Sequence, residues 1–472
     1  MQYIYGLQST INMASKFTKQ IVLGTAALLC TLCAAAQPRL PQGYFWKKLP
    51  NGLEVVVIEN AKVPLATVEI AVKNGAYTEG PEYSGLSHLF EHMFFKANKD
   101  YPDQEKFLKR TKELGDIWNG TTGNERVNYY FTANRDSLNG VLRLMNAAIR
   151  FPIYREEDMA KERPVVDGEF QRNESSPFFQ LYFDVNKLMW GDLITRKMPI
   201  GIHEVINTAT PAKMMTIKDR YYYPNNSLLI ICGDVKHEDA FKQAEGVFGN
   251  WASSDFNPFE KYPIPAFTPI PKSQAFVKES TIAQTPYMML AWQGPAFMTD
   301  SAGTVAADVF STVVGLNSSK LQQALVDKGL ASSVGLNYST SHYTGGISLF
   351  VVPNPNKLKE CYEVLQTQVS QWSNPDYYTD EQLNDAKAIL LRNHSRETEK
   401  PSSLPSQLSY QWCSTSLNYF TDLTDNYQKV SRADIAKYIS TYITGKPSIA
   451  GLIINPEMSK QSDAKTFFVV AK

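Results

Sequence analysis

The stretch Ser84-Gly85-Leu86-Ser87-His88-Leu89-Phe90-Glu91-His92-Met93-Phe94-Phe95 carries the pattern His-x-x-Glu-His. On a helix, His88 and His92 lie four residues apart, so both imidazoles project from one face about a turn apart. Two nitrogens placed this way can reach one metal ion. Glu91 lies three residues after His88 on the same face, where it can take a proton from a water held by that metal. The opposite face, made of Leu86, Leu89, Phe90, Met93 and Phe94, is the apolar stripe that an amphipathic helix buries. The polar face therefore consists largely of the three residues a zinc hydrolase needs. Two histidines also fall four apart by chance, so the rest of the chain has to decide.

A catalytic zinc takes three protein ligands and a water. In His-x-x-Glu-His enzymes the third ligand is an acidic residue on another helix. The acidic segment 156–174 is the best supply. Glu162 and Glu169 are seven apart and share a face of a regular helix. Helical spacing alone does not choose between them or exclude Glu174. Pro164 lies between the two and is expected to start or kink the helix.

Around the motif the pattern is mixed. Val55–Ile58 and residues 66–72 are β-branched and strand-like, as are residues 128–132 and 227–232. Residues 137–149 have helical period. Residues 253–272 hold five prolines, with no period, and read as a linker between two halves. The second half repeats the first. Residues 71–79 lie without gaps over 291–299, and both lead into an apolar helix. At that offset of 220, His88 meets Asp308, Glu91 meets Ser311 and His92 meets Thr312. Residues 131–174 likewise resemble 349 to about 398. The copy keeps a scaffold and loses the metal face. The expected fold class is α+β, with residues 37–252 as the metal-bearing domain and 273–472 as its homologue.

The chain has 472 residues, 43% of them hydrophobic, with Lys+Arg and Asp+Glu balanced at 47 each. That is a globular composition, and the balance gives no footprint for nucleic acid. Lys16 and Lys19 precede an apolar run over 21–33, and Ala34-Ala35-Ala36 offers a cleavage site. Residues 1–36 therefore read as a signal peptide, and the protein as exported, periplasmic or secreted, and soluble. The run is short for a membrane span, and no transmembrane anchor is expected later in the chain. Two of the five cysteines, Cys30 and Cys33, leave with that signal. Cys232, Cys361 and Cys413 are not a disulfide framework, although the count leaves room for one bridge between Cys361 and Cys413. His203, His237, His342 and His394 are scattered and read as structural or surface residues.

In combination, several stretches resemble the pitrilysin, insulysin and mitochondrial processing peptidase family, the inverted zincins, in its short two-domain bacterial type. They are Asn51-Gly52, Gly85 through Met93, Trp118-Asn119-Gly120-Thr121-Thr122, Lys161-Glu162-Arg163-Pro164-Val165-Val166 with Glu169, and Tyr223-Pro224-Asn225-Asn226-Ser227. The likeness covers nearly all of the mature chain. The interval of 77 residues from His92 to Glu169 is about the family's interval between second and third ligands. The resemblance implies one Zn2+ per chain, held by His88, His92 and Glu169. It makes Glu91 general base and then proton donor, Glu162 a supporting residue behind a ligand, and Asn119 a neighbour of the bound peptide. The fold implied is a pair of similar α+β domains, each a mixed sheet backed by helices. The activity implied is a metalloendopeptidase acting on peptides or unfolded segments.

One departure bears on partners. Active relatives carry an Arg and a Tyr in the second half that hold the substrate carbonyl. Here Lys320 stands at the Arg position, and Ser332 or Ser333 at the Tyr position. Lysine keeps the charge without the planar fork, and serine is too short to stand in for a phenol. Some relatives divide the work between two chains, so a homologous partner subunit that supplies the Arg and Tyr is expected, with a homodimer as the other arrangement. The competing class is a non-catalytic structural or peptide-binding subunit of a heteromeric peptidase. The intact His88, Glu91, His92 and Glu169 set argues against it.

Overall fold

The computed structural model describes residues 37–400 and 403–469. The expected signal peptide, with Cys30 and Cys33, lies outside the described residues. The described residues from 41 onward fall into one unit. In chain order its main elements begin with strands β1 (Tyr44–Lys48), β2 (Glu54–Glu59) and β3 (Leu65–Val72), then helix α1 (Leu86–Phe94). Next come β4 (Ile117–Thr122), β5 (Val127–Asn134), α2 (Leu138–Arg150), α3 (Glu156–Glu174) and α4 (Pro177–Trp190). β6 (Ser227–Gly233) and α5 (His237–Phe248) close the first half. The second half runs β7 (Gln274–Glu279), β8 (Tyr287–Gln293), α6 (Ser301–Gly315), β9 (Ala331–Tyr338) and β10 (Gly346–Pro353). It continues with α7 (Leu358–Gln371), α8 (Asp380–Glu399), α9 (Leu404–Ser414), α10 (Leu417–Lys429) and β11 (Ile449–Ile454).

The two sheets have one topology. The first is ordered β1-β2-β6-β3-β5-β4 and the second β7-β11-β8-β10-β9. Apart from the extra edge strand β1, each first-sheet strand has a counterpart in the same place. β2 pairs with β6 in parallel, as β7 does with β11, and every other pairing is antiparallel. Ala71 on β3 faces Asn128 and Leu228, and Ala291 on β8 faces Ser348 and Ile449. The fold is α+β with two homologous domains, and each sheet mixes parallel and antiparallel strands.

Strands β6 and β11 are buried along their whole length. They read as continuous apolar runs because both faces of each sheet are covered. Val55 and Val57 of β2 point into a core shared with α1, α2 and α5. Val56 and Ile58 point to the other face, where they meet Leu404, Leu408 and Trp412. Those three belong to α9 of the second half. The exchange is reciprocal. Leu181, Val185 and Met189 of α4, from the first half, lie on Met289, Ala291, Ile449 and Ile453 of the second sheet. α4 and α9 occupy matching places in the repeat, so each half lends the same helix to the other. Gly451 marks the closeness of that contact, because a Cβ there would sit 2.6 Å from Leu181 Cδ1.

Polar groups cross the same boundary. Glu69, fully buried on β3, accepts a hydrogen bond from Ser409 of α9. Arg126 donates to the Ser406 carbonyl and to Ser409 Oγ. Glu125 accepts the backbone N–H groups of His342 (2.8 Å) and Tyr343 (3.1 Å). Between the sheets, residues 253–272 contain only the short helix Pro258–Lys261, while Ile270 is buried.

Two details differ from the sequence reading. α3 runs unbroken through Pro164 for 19 residues. A proline interrupts the backbone ladder one turn back, and here Arg163 Nε donates to the Met159 carbonyl at 3.2 Å beside the gap. Cys361 and Cys413 are both free and buried, and no bridge joins them. Cys361 belongs to the second-half core, while Cys413 packs on the first sheet.

Candidate metal centre

α1 begins at Gly85, whose φ of 88° is left-handed backbone that glycine adopts readily. No side chain of the cap residue bonds the first turn. The buried Glu79 does so from a distance, its carboxylate accepting the N–H of Gly85 (2.7 Å) and of Ser87 (2.5 Å). Leu86, Leu89, Phe90, Met93 and Phe94 are buried, with Phe94 stacked on Tyr129 at 3.8 Å. That packing fixes the rotation of the helix and turns its polar face outward.

His88 Nε2 lies 3.6 Å from Glu169 Oε2, and His92 Nε2 lies 3.8 Å from the same oxygen. Two imidazole nitrogens and a carboxylate thus converge from α1 and α3. A tetrahedral ion with bonds of about 2.0–2.1 Å sets its donors about 3.3 Å apart, close to both His–Glu169 separations, and the three ligand atoms all lie within 4.8 Å of one another. Burial, reinforced by the charge of His92, pushes His88 down to about 4. Its imidazole is therefore neutral at ordinary pH, the form that ligates.

Glu162 lies behind His92. His92 Nδ1 is 2.9 Å from Glu162 Oε1, and Lys96 Nζ is 2.6 Å from Oε2. Burial opposes ionisation of Glu162, but the hydrogen bonds from His92 and Lys96 outweigh it and hold the carboxyl below its ordinary value. An ionised carboxylate only accepts, so Nδ1 carries the proton and Nε2 is free toward Glu169. Burial lowers the His92 pKa, yet the bond to Glu162 and the charge of Glu169 outweigh it and raise the pKa.

Glu91 stays outside this donor set. Its Oε2 accepts from Thr122 Oγ1 at 2.7 Å, and its pKa is raised by burial. β4 passes directly over it, since a Cβ on Gly120 would come 2.7 Å from Glu91 Cγ. Asn119 is the neighbouring residue, exposed on β4, which pairs only with β5 and so ends the sheet. The structure therefore brings together His88, Glu91, His92, Glu162 and Glu169 and puts Asn119 on the strand beside them. Glu174 is drawn elsewhere, its Oε2 lying 3.1 Å from His203 Nε2.

Three participants escaped the sequence reading. Lys96 lies four residues after His92, a spacing that could have suggested it. Thr122 reaches Glu91 across 31 residues, which no local pattern reports. Glu79 lies six residues before the helix start and gives no capping signature.

A second group, Glu59, His237 and Glu238, has ligand atoms within 4.8 Å of one another. Its carboxylates approach opposite ring nitrogens, Glu59 at Nδ1 (2.8 Å) and Glu238 at Nε2 (3.1 Å). One ion cannot take both from a single ring. His237 stacks on Phe45 at 3.5 Å, the surroundings of a structural histidine.

In the second half, Lys320 Nζ donates to the Asp376 carbonyl at 2.6 Å, and Ser332 and Ser333 are exposed on β9. No helix among the described residues is long and apolar enough to cross a membrane.

Two homologous mixed sheets, with convergent His, His and Glu donors on helices α1 and α3 of the first half, define a two-domain protein with a candidate metal site. The chain belongs to the insulinase family, peptidase family M16. The model of that family, described as Insulinase (Peptidase family M16), matches residues 54–188, and one described as Peptidase M16 inactive domain matches 208–390. The zinc protease PqqE of Helicobacter pylori is 28% identical over 358 residues, 74% of this chain and 79% of that protein. The crystal structure of a protease from Helicobacter pylori superposes with a TM-score of 0.78 at 23% identity, covering 88% of this chain and all of that one. The periplasmic protease PqqL of Escherichia coli gives 0.70 at 16% identity, covering 89% of this chain and 49% of that one.

Proposed function

We propose that this chain is an exported zinc metalloendopeptidase that hydrolyses peptides or unfolded segments. The observation that carries the proposal is the convergence of His88 Nε2, His92 Nε2 and Glu169 Oε2, with Glu91 beside them and bonded elsewhere. A zinc ion bound there would supply a water of pKa ~7 and a Lewis acid for the scissile carbonyl. The protein's own groups do the remainder. Glu91 takes the proton of the attacking water and returns it to the leaving amine nitrogen. Burial raises its pKa, which suits a group that must both accept and release a proton near neutrality. Thr122 keeps one Glu91 oxygen engaged and leaves the other for this transfer. β4, with Asn119, offers an unpaired edge on which an extended substrate can add as a strand. Export is supported by the N-terminal sequence and by the likeness to PqqL, a periplasmic protease of Escherichia coli.

Full activity needs a homologous partner chain that brings an Arg and a Tyr to the substrate carbonyl. Lys320 is engaged by the Asp376 carbonyl of its own domain, and serines stand where a phenol is needed. The test is to incubate the purified chain, with and without a separately encoded relative lacking His-x-x-Glu-His, with a mixed peptide library and a chelator control. Chelator-sensitive cleavage that rises with the partner is the expected result. Full activity of the isolated monomer, unchanged by Lys320→Ala, refutes the need for a partner. Zinc retained at full stoichiometry by His88→Ala and His92→Ala variants refutes the site.

A further inference from the structure

We propose that Lys96 is a positioning residue for the metal site, bracing Glu162 so that Glu162 holds the Nδ1 proton of His92 and leaves Nε2 to the metal. The inference rests on the zinc reading above and adds a residue to it. Lys96 lies just past the end of α1, four residues after His92, and both side chains reach Glu162. Its Nζ is 2.6 Å from Glu162 Oε2, while His92 takes Oε1 at 2.9 Å. Both oxygens of one carboxylate are thereby engaged by two residues of the same helix end. The side chains of Lys96 and Glu162 are only 17% and 9% exposed, so water is a poor substitute for either partner. Without the ammonium, Glu162 has one oxygen unpaired in a buried place. It then turns toward solvent, and the His92 ring loses the acceptor that fixes its tautomer and orientation.

This role has an opposite sign from that of a plain charge. A lysine near a dication disfavours the ion by Coulomb repulsion, so deleting a mere charge tightens zinc binding. Deleting a brace weakens it. The experiment measures Zn2+ affinity of the mature chain by competition with a chromophoric chelator, for wild type, Lys96→Met and Lys96→Arg. Lys96→Met is expected to bind ~10-fold more weakly, the lower end of the range for residues behind a ligand. Lys96→Arg, which can donate to the same oxygen, is expected to recover most of that loss. Equal or tighter binding by Lys96→Met overturns the proposal. A second arm reads the metal-free protein by 15N NMR of its histidines. His92 is expected as the Nδ1–H tautomer in wild type and Lys96→Arg, with that preference lost in Lys96→Met. A tautomer unchanged in Lys96→Met also overturns the brace. Should wild type bind no zinc, the zinc reading fails, and the tautomer arm still decides the role of Lys96. Thermal melts of the three metal-free proteins separate local effects from misfolding.

Discussion

Because α4 and α9 are exchanged between the halves, neither sheet can cover both faces without the other half. Leu408→Ala tests this. Leu408 is fully buried on α9 among Val56, Ile58, Leu228 and Ile230, which belong to the first sheet. The substitution removes three carbon atoms, worth about 2.4 kcal/mol at ~0.8 kcal/mol per buried carbon. A residual cavity of about 60 Å3 adds about 1.4 kcal/mol at ~24 cal/mol per Å3. The expected loss is therefore near 4 kcal/mol, within the range measured for large-to-small core changes. The assay is urea unfolding followed by hydrogen exchange resolved by peptide. Peptides from β2 and β6 are expected to lose protection together with α9, although the substitution lies at least 175 residues (408 − 233) away from them in sequence. Leu181→Ala on α4 is the mirror experiment and should expose β8 and β11. If Leu408→Ala loosens α9 alone and leaves β2 and β6 at wild-type protection, the halves are independent and this account of the fold is wrong.

Glu91→Gln is expected to keep its zinc and its circular dichroism while losing at least ~10²-fold in peptide hydrolysis. Loss of zinc in that variant would instead put Glu91 among the ligands. Glu162→Gln should weaken zinc binding ~10–100-fold and Glu169→Gln more than that, as competition titration can rank. The reverse order exchanges their roles. Asp116, just before β4, has both carboxylate oxygens buried without a partner among the described residues, and burial pushes its pKa from 3.8 to about 7. A folded pKa above the unfolded one gives stability that is present below pH ~4 and lost as pH rises through about 7. Asp116→Asn should flatten that part of the stability profile, read from urea midpoints at pH 4 and pH 8. An unchanged profile assigns the pH dependence to other groups.

What the sequence could disclose depended on how far apart the interacting groups lie in it. The polar and apolar faces of α1 follow from a 3.6-residue period within nine residues, and every apolar residue that the period picks out is buried, with Ser87 besides. The repeat was legible because strand order survives where side chains do not. The choice between Glu162 and Glu169 was not, since residues seven apart share a face of the helix and differ only in height along it. In the folded chain one height meets His92 Nδ1 and the other meets Nε2 of both histidines. Pro164 could not decide the matter, because a 19-residue helix packed along Met159, Glu162, Val166 and Phe170 carries the missing bond. Helix exchange left no trace in the pattern either. Periodicity says which face of α4 or α9 is buried and not which sheet buries it.

The second half shows how such a fold gives up a metal site without giving up the fold. α6 repeats α1, and Asp308 stands where His88 stands. Its carboxylate accepts from Tyr427 Oη at 3.2 Å, and burial pushes its pKa to about 7. Thr312, in the place of His92, spends its hydroxyl on the Asp308 carbonyl at 2.9 Å. Ser311, in the place of Glu91, has a buried hydroxyl without a partner among the described residues. The helix face that presents donors in the first half is thus a packing face here, covered by Tyr419, Leu423 and Tyr427 of α10. Among the described residues, both groups of side chains able to hold a metal lie in the first half, and the second half contributes α9 to the back of the first sheet. That asymmetry is why the serines on β9 and the engaged Lys320 matter. On the proposed reading, groups that complete the first-half site come from another chain, because Lys320 is held by the Asp376 carbonyl of its own half.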